Sequence, residues 1–340
     1  MLLRASSPHL FAPRDTGWVM RQVLLAAVPG LAALTWFFGW GVVWNILLAS
    51  VSAVLCEIFA VRLRGRAPGF YLRDGSVLVT ALLLGLALPP YCPWWVTVTG
   101  TAFAVLVGKH VYGGLGYNPF NPAMAGYVML LISFPVEMTA WPAPRGTPQG
   151  YAPPGLWQSM QLSLQGAPMP DAFTMATPLD LFRGKDGMTV DELWQSAPQF
   201  GLFGGRGWEW VNLGFLAGGL YLMWRHIFTW HAPLGMLGAM VLLSVLFYAG
   251  GGSGSAGSPL MHLGTGATML GAFFIITDPV SSAVSNRGRL VFGIGAGALI
   301  FSMRTWSNYP DGVAFAVLLM NFSAPFIDNY TQPRTYGHGS

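Results

Sequence analysis

Residues 73–90 read R-D-G-S-V-L-V-T-A-L-L-L-G-L-A-L-P-P: two charges, a short turn, an apolar run from Val77 to Leu88 with no ionisable group, then a Pro-Pro stop. The run 76–90 is the third of ten such stretches. The others cover 22–38, 41–61, 93–108, 120–139, 208–224, 232–249, 260–277, 290–303 and 311–327. About 20 apolar residues in one helix cross a bilayer. The sequence therefore predicts an all-α integral membrane protein of about ten transmembrane helices, with roughly half the chain in lipid.

Composition points the same way. Of 340 residues, 53% are hydrophobic and only 9% charged, whereas soluble domains carry about 25% charge. That excludes an ordinary cytosolic enzyme and a disordered chain. The net charge of +4 is scattered over short gaps and forms no basic stripe, so it is no nucleic-acid footprint. Gly (44) and Pro (25) follow no collagen period and are tolerated in spanning helices. Cys56 and Cys92 stand alone; they read as small buried residues, and two thiols cannot hold a four-cysteine iron–sulfur cluster.

Orientation follows from the basic residues in alternate gaps. One side collects twelve: Arg4, Arg14, Arg21, Arg62, Arg64, Arg66, Arg73, Lys109, Arg225, Arg287, Arg289 and Arg334. The other holds five, Arg145, Arg183, Lys185, Arg206 and Arg304, four of them in one long loop. Positive residues stay cytoplasmic and long loops weigh little in that rule. Both termini are expected inside, the loop outside, and the first span is read as a retained helix rather than a cleaved signal.

The predicted organisation is a first membrane half, 1–140, with five helices, an extracytoplasmic loop, 141–206, and a second five-helix half, 207–340. An odd number of crossings per half implies a 5+5 inverted repeat if the halves are related. S-F-P-V at 133–136 and T-D-P-V at 277–280 are the matching fragments. The runs 76–90 and 290–303 are short, the latter carrying Gly293, Gly295 and Gly297, and read as broken helices around a buried site. The loop, with nine prolines and few apolar runs, is expected to form a mostly irregular layer on the outer membrane face.

Two threonine-bearing segments carry possible chemistry: D-A-F-T-M-A-T-P-L at 171–179, in the outer loop, and G-T-G-A-T at 264–268. Taken alone, each threonine reads as a helix cap or a local backbone bond.

Four other stretches change that. G-K-H-V-Y-G-G-L-G-Y-N-P-F-N-P-A-M-A-G-Y at 108–127, the run at 73–90, D-P-V-S-S-A-V-S-N-R-G-R at 278–289 and I-D-N-Y-T-Q-P-R-T-Y-G-H at 327–338 together resemble the RnfD/NqrB family of membrane flavoproteins. The resemblance covers both halves, and the short N-terminus is closer to the Rnf branch. It implies an FMN joined through its phosphate to a threonine, in a motif resembling D-g-x-[S/T]-g-A-T. Asp171, Thr174, Ala176 and Thr177 fit it, with Thr177 as the attachment residue; Ala172 and Met175 stand where glycine is usual. In the second segment His262 replaces the motif's aspartate. Arg183 and Lys185 follow Thr177 closely and are candidates to balance the phosphodiester, or else solvated loop charges.

The resemblance further implies a second, non-covalent flavin (riboflavin). Asn118 and Asn121 at the mouth of span five are its candidate contacts; the alternative is a helix cap by Asn121 with Pro122 at the first helical position. The implied setting is a complex coupling ferredoxin/NAD electron transfer to ion movement, whose partners bear iron–sulfur clusters and another covalent FMN, with a flavin transferase for maturation. The rivals are a urea-channel-like transporter, which shares a five-plus-five plan, and a scaffold subunit without redox chemistry. Among acidic residues near lipid, Asp278 is the ion-coupling candidate, facing Arg287 or Arg289, while Glu57 is expected to pair with Arg62. No histidine pair has haem or metal spacing.

Overall fold

The computed structural model describes residues 15–147, 152–166, 173–185, 187–307, 309 and 311–332. Asp171 of the flavin motif lies outside them. Among the described residues the chain is helical throughout, with two isolated bridges, Pro142 to Thr174 and Phe200 to Gly205, as its only extended pairings.

The helices are α1 (Thr16–Ala26), α2 (Val28–Phe38), α3 (Gly41–Leu63), α4 (Pro68–Leu72), α5 (Ser76–Ala87), α6 (Trp94–Ala102), α7 (Pro122–Ser133), α8 (Pro135–Thr139), α9 (Leu156–Gln165), α10 (Pro178–Arg183), α11 (Val190–Ser196), α12 (Trp208–Trp224), α13 (His231–Leu246), α14 (Pro259–Gly264), α15 (Thr268–Leu270), α16 (Asn286–Trp306) and α17 (Val313–Thr331). Two stretches of π-helix, Phe103–His110 after α6 and Gly271–Ile275 after α15, continue their helices. A helix thus stands in each of the ten apolar stretches. Three segments, Thr16–Phe38, Gly41–Leu63 and Val313–Thr331, are long and apolar enough to cross a membrane.

α3 shows why lipid is the solvent. Asn45, Ala49, Ser52 and Ala53 face inward, while Leu47, Val51, Leu55 and Phe59, four residues apart, form a stripe more than half exposed. Polar and small groups go in and apolar groups out, the reverse of a helix in water.

The third apolar stretch forms a short helix and the eighth is interrupted. α5 has 12 residues, about 18 Å at 1.5 Å per residue, against a hydrocarbon core of about 30 Å. It stops because Leu88 turns to extended backbone (φ −78°, ψ 146°), as the residue before a proline does. The 260–277 stretch splits into α14 and α15 around Thr265-Gly266-Ala267. Gly266 has φ +58°, and a Cβ there would sit 2.5 Å from an Asp311 oxygen and 2.9 Å from Arg304. Only glycine fits both the backbone and the space.

The expectation of a broken helix at 290–303 is overturned: α16 runs unbroken through 21 residues. Its glycines serve close approach instead. A Cβ on Gly293 would lie 2.2 Å from Ala232 O, and one on Gly297 2.2 Å from Met236 O. This is the small-xxx-small packing of membrane helices, with α13 lying backbone to backbone on α16.

Loops gather at two ends. At one, Arg64 donates to Gly113 O (2.8 Å) and to His110 O, Arg289 donates to Thr229 (3.3 Å), and Val284 N to Asp328 (2.9 Å). At the other, Arg145 N donates to Phe37 O (2.8 Å) and Lys185 to Ser255 O. The 141–206 loop is less irregular than expected. It contains α9, α10 and α11, and Leu179, Phe182, Val190, Leu193 and Phe200 cluster with Met261 of α14. That core closes only against the membrane half.

Candidate functional site

The third and eighth stretches line two cavities, one toward each end of the molecule. The first lies between the end of α5 (Leu86, Ala87) and the break at Gly266-Ala267. The second lies between the start of α5 (Ser76, Thr80) and residues 273–282. Phe215 lines the first and Phe274 the second. Their rings meet edge to face at 5.6 Å, so one aromatic pair stands in the partition.

Thr177 is at the loop-side wall of the first cavity. It caps α10, with Pro178 in the first turn. Asp180 N donates to Thr177 Oγ1 (3.2 Å), Thr177 N donates to Asp180 Oδ2 (3.1 Å), and Thr177 Oγ1 itself donates to Asp180 Oδ2 (2.7 Å). The first two bonds are a capping box, which satisfies two free helix-end donors at once. The cavity is otherwise apolar and aromatic, with Tyr127, Trp141 and Trp208 on its walls; Trp141 and Trp208 meet at 4.9 Å. Ala176 is exposed and Thr174 half-buried.

The basic residues near Thr177 are not arranged as expected. Arg183 lies 3.7 Å from Asp180. Lys185 turns away, donating to Ser255 O and lying 4.7 Å over the Phe182 ring; loss of hydration pulls its pKa below the ordinary lysine value. The cation beside Thr177 is Arg206, which lines a small adjoining pocket with Ala176, Thr177 and Trp208. It donates to Gly146 O (2.8 Å), but its Nε is buried and has no partner. Buried donors are nearly always paired; this one is not.

Across the cavity, Asp311 accepts from Ala267 N (2.9 Å) and pairs with Arg304 at 3.1 Å. Arg304 also reaches His262 O (2.9 Å) and Thr268 Oγ1 (3.0 Å). Thr268 is fully buried and donates to His262 O (2.7 Å) and Thr265 O (3.0 Å). The second threonine segment is thus a tie across a helix break.

The second cavity brings Asn118 and Asn121, close together in the chain, beside the sequence-distant Asp278, with Lys109 and Arg289. Asn121 caps α7, accepting from Met124 N (3.2 Å), and its own N–H donates to Asn321 Oδ1 (3.0 Å). Asn118 donates to Phe120 O (2.9 Å), while its Oδ1 is buried without a partner. Asp278 accepts from Val280 N (3.1 Å) and Ser281 (2.7 Å). It does not face Arg287 or Arg289 as expected; Arg289 is turned to Ala283 O and Thr229. Glu57 pairs as expected but with other partners, Lys109 at 2.9 Å and His110 at 2.8 Å rather than Arg62. Lys109 adds a bond to Ser76 (3.0 Å), so this buried cluster borders the second cavity. Among the described residues no group of three or more His, Cys, Asp or Glu is placed to hold a metal.

Asp180, Arg206 and the Arg304–Asp311 pair were not singled out in the sequence. Only Asp180 left a signal there, as the fourth residue of a T-x-x-D box.

A helical protein with membrane-length apolar helices and outward-facing apolar stripes belongs, as a class, with the integral membrane proteins. Sequence comparison makes the class specific: the chain belongs to the NQR2, RnfD, RnfE family, whose profile matches residues 3–337. It is 58% identical over 337 residues to the D subunit of the ion-translocating oxidoreductase complex of Pseudomonas paraeruginosa (strain DSM 24068 / PA7), covering 99% of this chain and 96% of that one. Proteins of the same description from Cellvibrio japonicus (strain Ueda107), at 53% identity over 99% of this chain and 95% of the relative, and from Escherichia coli O1:K1 / APEC, at 48% over 98% of each, are similar along their whole length.

Proposed function

We propose that this protein is the D subunit of an Rnf-type ion-translocating oxidoreductase complex, and that it carries FMN covalently on Thr177 at the extracytoplasmic end. Its partners are then the iron–sulfur and flavin-bearing subunits of that complex, including a second covalent-FMN subunit. The near-complete, high-identity match to proteins of that description carries the assignment.

The residues around Thr177 fit the cofactor. Thr177 is half-buried, whereas Thr268 is fully buried and offers a transferase no access. Arg206 holds an unpartnered Nε for a phosphodiester oxygen, a charge-assisted bond of the stronger kind. Tyr127, Trp141 and Trp208 give a flat ring an aromatic, water-excluding wall. The bound flavin supplies the electron chemistry, and the protein supplies position and electrostatics. In the second cavity, the free Asn118 Oδ1 suits an N–H of a second, non-covalent flavin, with Asn121 serving as the cap that fixes the neighbouring backbone. Asp278, on the same cavity, remains the candidate for ion coupling. In this reading ten spans cross the bacterial inner membrane, both termini are cytoplasmic, and the halves form an inverted repeat. The short third stretch and the interrupted eighth occupy equivalent positions in the two halves, which supports the repeat.

Thr177→Val tests the central claim. Valine keeps the shape but has no hydroxyl to esterify. The variant is expected to insert in the membrane normally, to lose the flavin fluorescence that survives SDS denaturation, and to block electron transfer through the complex. Retention of covalent flavin would place the attachment elsewhere.

A further inference from the structure

Four of the described tyrosines are not exposed: Tyr71, Tyr91, Tyr127 and Tyr221. Three of them are hydrogen-bonded. Tyr91 donates to Phe38 O (2.9 Å), Tyr221 donates to Gln22, and Tyr71 accepts from Arg66 (2.8 Å). The Tyr127 hydroxyl makes no hydrogen bond among the described residues. A buried tyrosine hydroxyl ordinarily finds a partner, and the bilayer offers none. Helix periodicity shows which way Tyr127 faces. On α7 the outward stripe runs through Ala125, Met129 and Ile132, the last 61% exposed. Met124, Tyr127 and Leu131, three and four residues apart, form a different stripe, and all three line the first cavity. Met124 and Leu131 are buried, while Tyr127 between them is only half-buried, so the surface it keeps is cavity surface. The other side-chain hydroxyls and carboxylates on that wall are engaged. Thr139 donates to Pro135 O (2.8 Å), Thr177 and Asp180 bond to each other, and Asp311 holds Arg304 and Ala267 N.

We propose that the Tyr127 hydroxyl is the ring contact of the covalent flavin, donating to the polar edge of the isoalloxazine and raising its reduction potential. The proposal rests on the reading of Thr177 as the flavin site, since Thr177 and Tyr127 line the same cavity. A tether at Thr177 fixes only the phosphate end, and the ribityl chain leaves the ring free to turn. Trp141 and Trp208 offer flat faces, which stack without choosing a direction. One directional bond from a different helix supplies the orientation. Its electronic effect follows from charge. Full reduction adds two electrons to the ring, from a reduced iron–sulfur or flavin partner, and one proton, from water, which leaves a net negative charge. Tyr127 keeps its own proton and is neither oxidised nor reduced. A hydrogen bond to an ionised acceptor is roughly twice as strong as one to a neutral acceptor, so the hydroxyl favours the reduced ring. The two carboxylates on the wall oppose this little, because Asp180 stands beside Arg183 (3.7 Å) and Asp311 beside Arg304 (3.1 Å).

Tyr127→Phe removes the oxygen and keeps the ring. The full-length protein is purified with its covalent flavin, washed free of non-covalent flavin, and titrated spectroelectrochemically, with flavin loading and thermal stability measured alongside. A bond about tenfold stronger in the reduced state is worth about 30 mV in a two-electron couple. Tyr127→Phe is therefore expected to lower the midpoint by about 30 mV at wild-type loading. Tyr91→Phe, which removes a buried hydroxyl that lines neither cavity, should leave the midpoint unchanged. A second measurement needs no variant. The reduced-minus-oxidised infrared difference spectrum of the wild-type protein should contain a tyrosine C–O stretch that moves on reduction. An unchanged midpoint in fully loaded Tyr127→Phe overturns the proposal, as does an equal shift in Tyr91→Phe. If Tyr127→Phe fails to fold or to load, a wild-type difference spectrum without the tyrosine band overturns it. A wild-type protein without covalent flavin on Thr177 overturns instead the reading on which the proposal rests, and the proposal with it.

Discussion

Thr177 and Thr268 are the same residue type in similar A-T contexts, and burial gives them different work. Thr177 stands half-buried at a helix start, its hydroxyl bonded to the Asp180 carboxylate and backbone N–H. Thr268 is sealed among His262 O, Thr265 O and Arg304. Thr268→Val is accordingly expected to leave covalent flavin unchanged while lowering stability by about 1–3 kcal/mol, the range for stranding buried hydrogen-bonding partners. Thermal unfolding in detergent, read beside in-gel flavin fluorescence, checks both halves of that statement. Loss of flavin without loss of stability would reverse the roles of the two threonines. Glu57 makes a related point: its partners Lys109 and His110 lie 52 and 53 residues away, so no local spacing announces them.

Among the elements, α13 and α16 depend on having no side chains where they cross. At Gly297 a Cβ would come 2.2 Å from Met236 O and 3.0 Å from Met236 Cα. Both atoms are backbone, so the helices must part. Gly297→Val is expected to destabilise the protein by at least about 1–3 kcal/mol, the usual cost of overpacking. Gly238 of the partner helix has nothing within 4 Å of its Cβ position. Gly238→Ala should be neutral or stabilising by about 0.5–1 kcal/mol, since glycine weakens helices. Melting temperatures of the two variants decide it, and equal effects would mean that close approach is not what Gly297 provides.

The whole molecule places one cavity toward each loop-bearing end, with Phe215 and Phe274 between them. That layout gives function only if the two ends face different compartments. In a background lacking Cys56 and Cys92, Arg66→Cys and Asp191→Cys, both at exposed positions, are expected to react with an impermeant thiol reagent from opposite sides of the membrane: Asp191→Cys in intact cells and Arg66→Cys only after the membrane is opened. Labelling of both in intact cells would overturn the arrangement and, with it, an extracytoplasmic flavin.

The sequence by itself determined the solvent and the element type. Apolar runs with charges confined to the gaps allow only helices in lipid, because every backbone group there must be paired within its own segment. The A-T-P run also made Thr177 visible, since residue order is all that such a motif needs. Where helices break was not settled in this way. Gly293 and Gly297 read as breaks and are close contacts, whereas the true break at Thr265-Gly266-Ala267 is held open by Asp311, Arg304 and Asn212. Asn212 donates to Gly266 O (3.0 Å) and accepts from Met269 N (2.9 Å). A glycine permits either outcome; which one occurs depends on what the neighbouring helix presents to it. The same holds for Arg206, Asp278 and Asn118, whose free or engaged atoms are fixed by partners that only folding brings near.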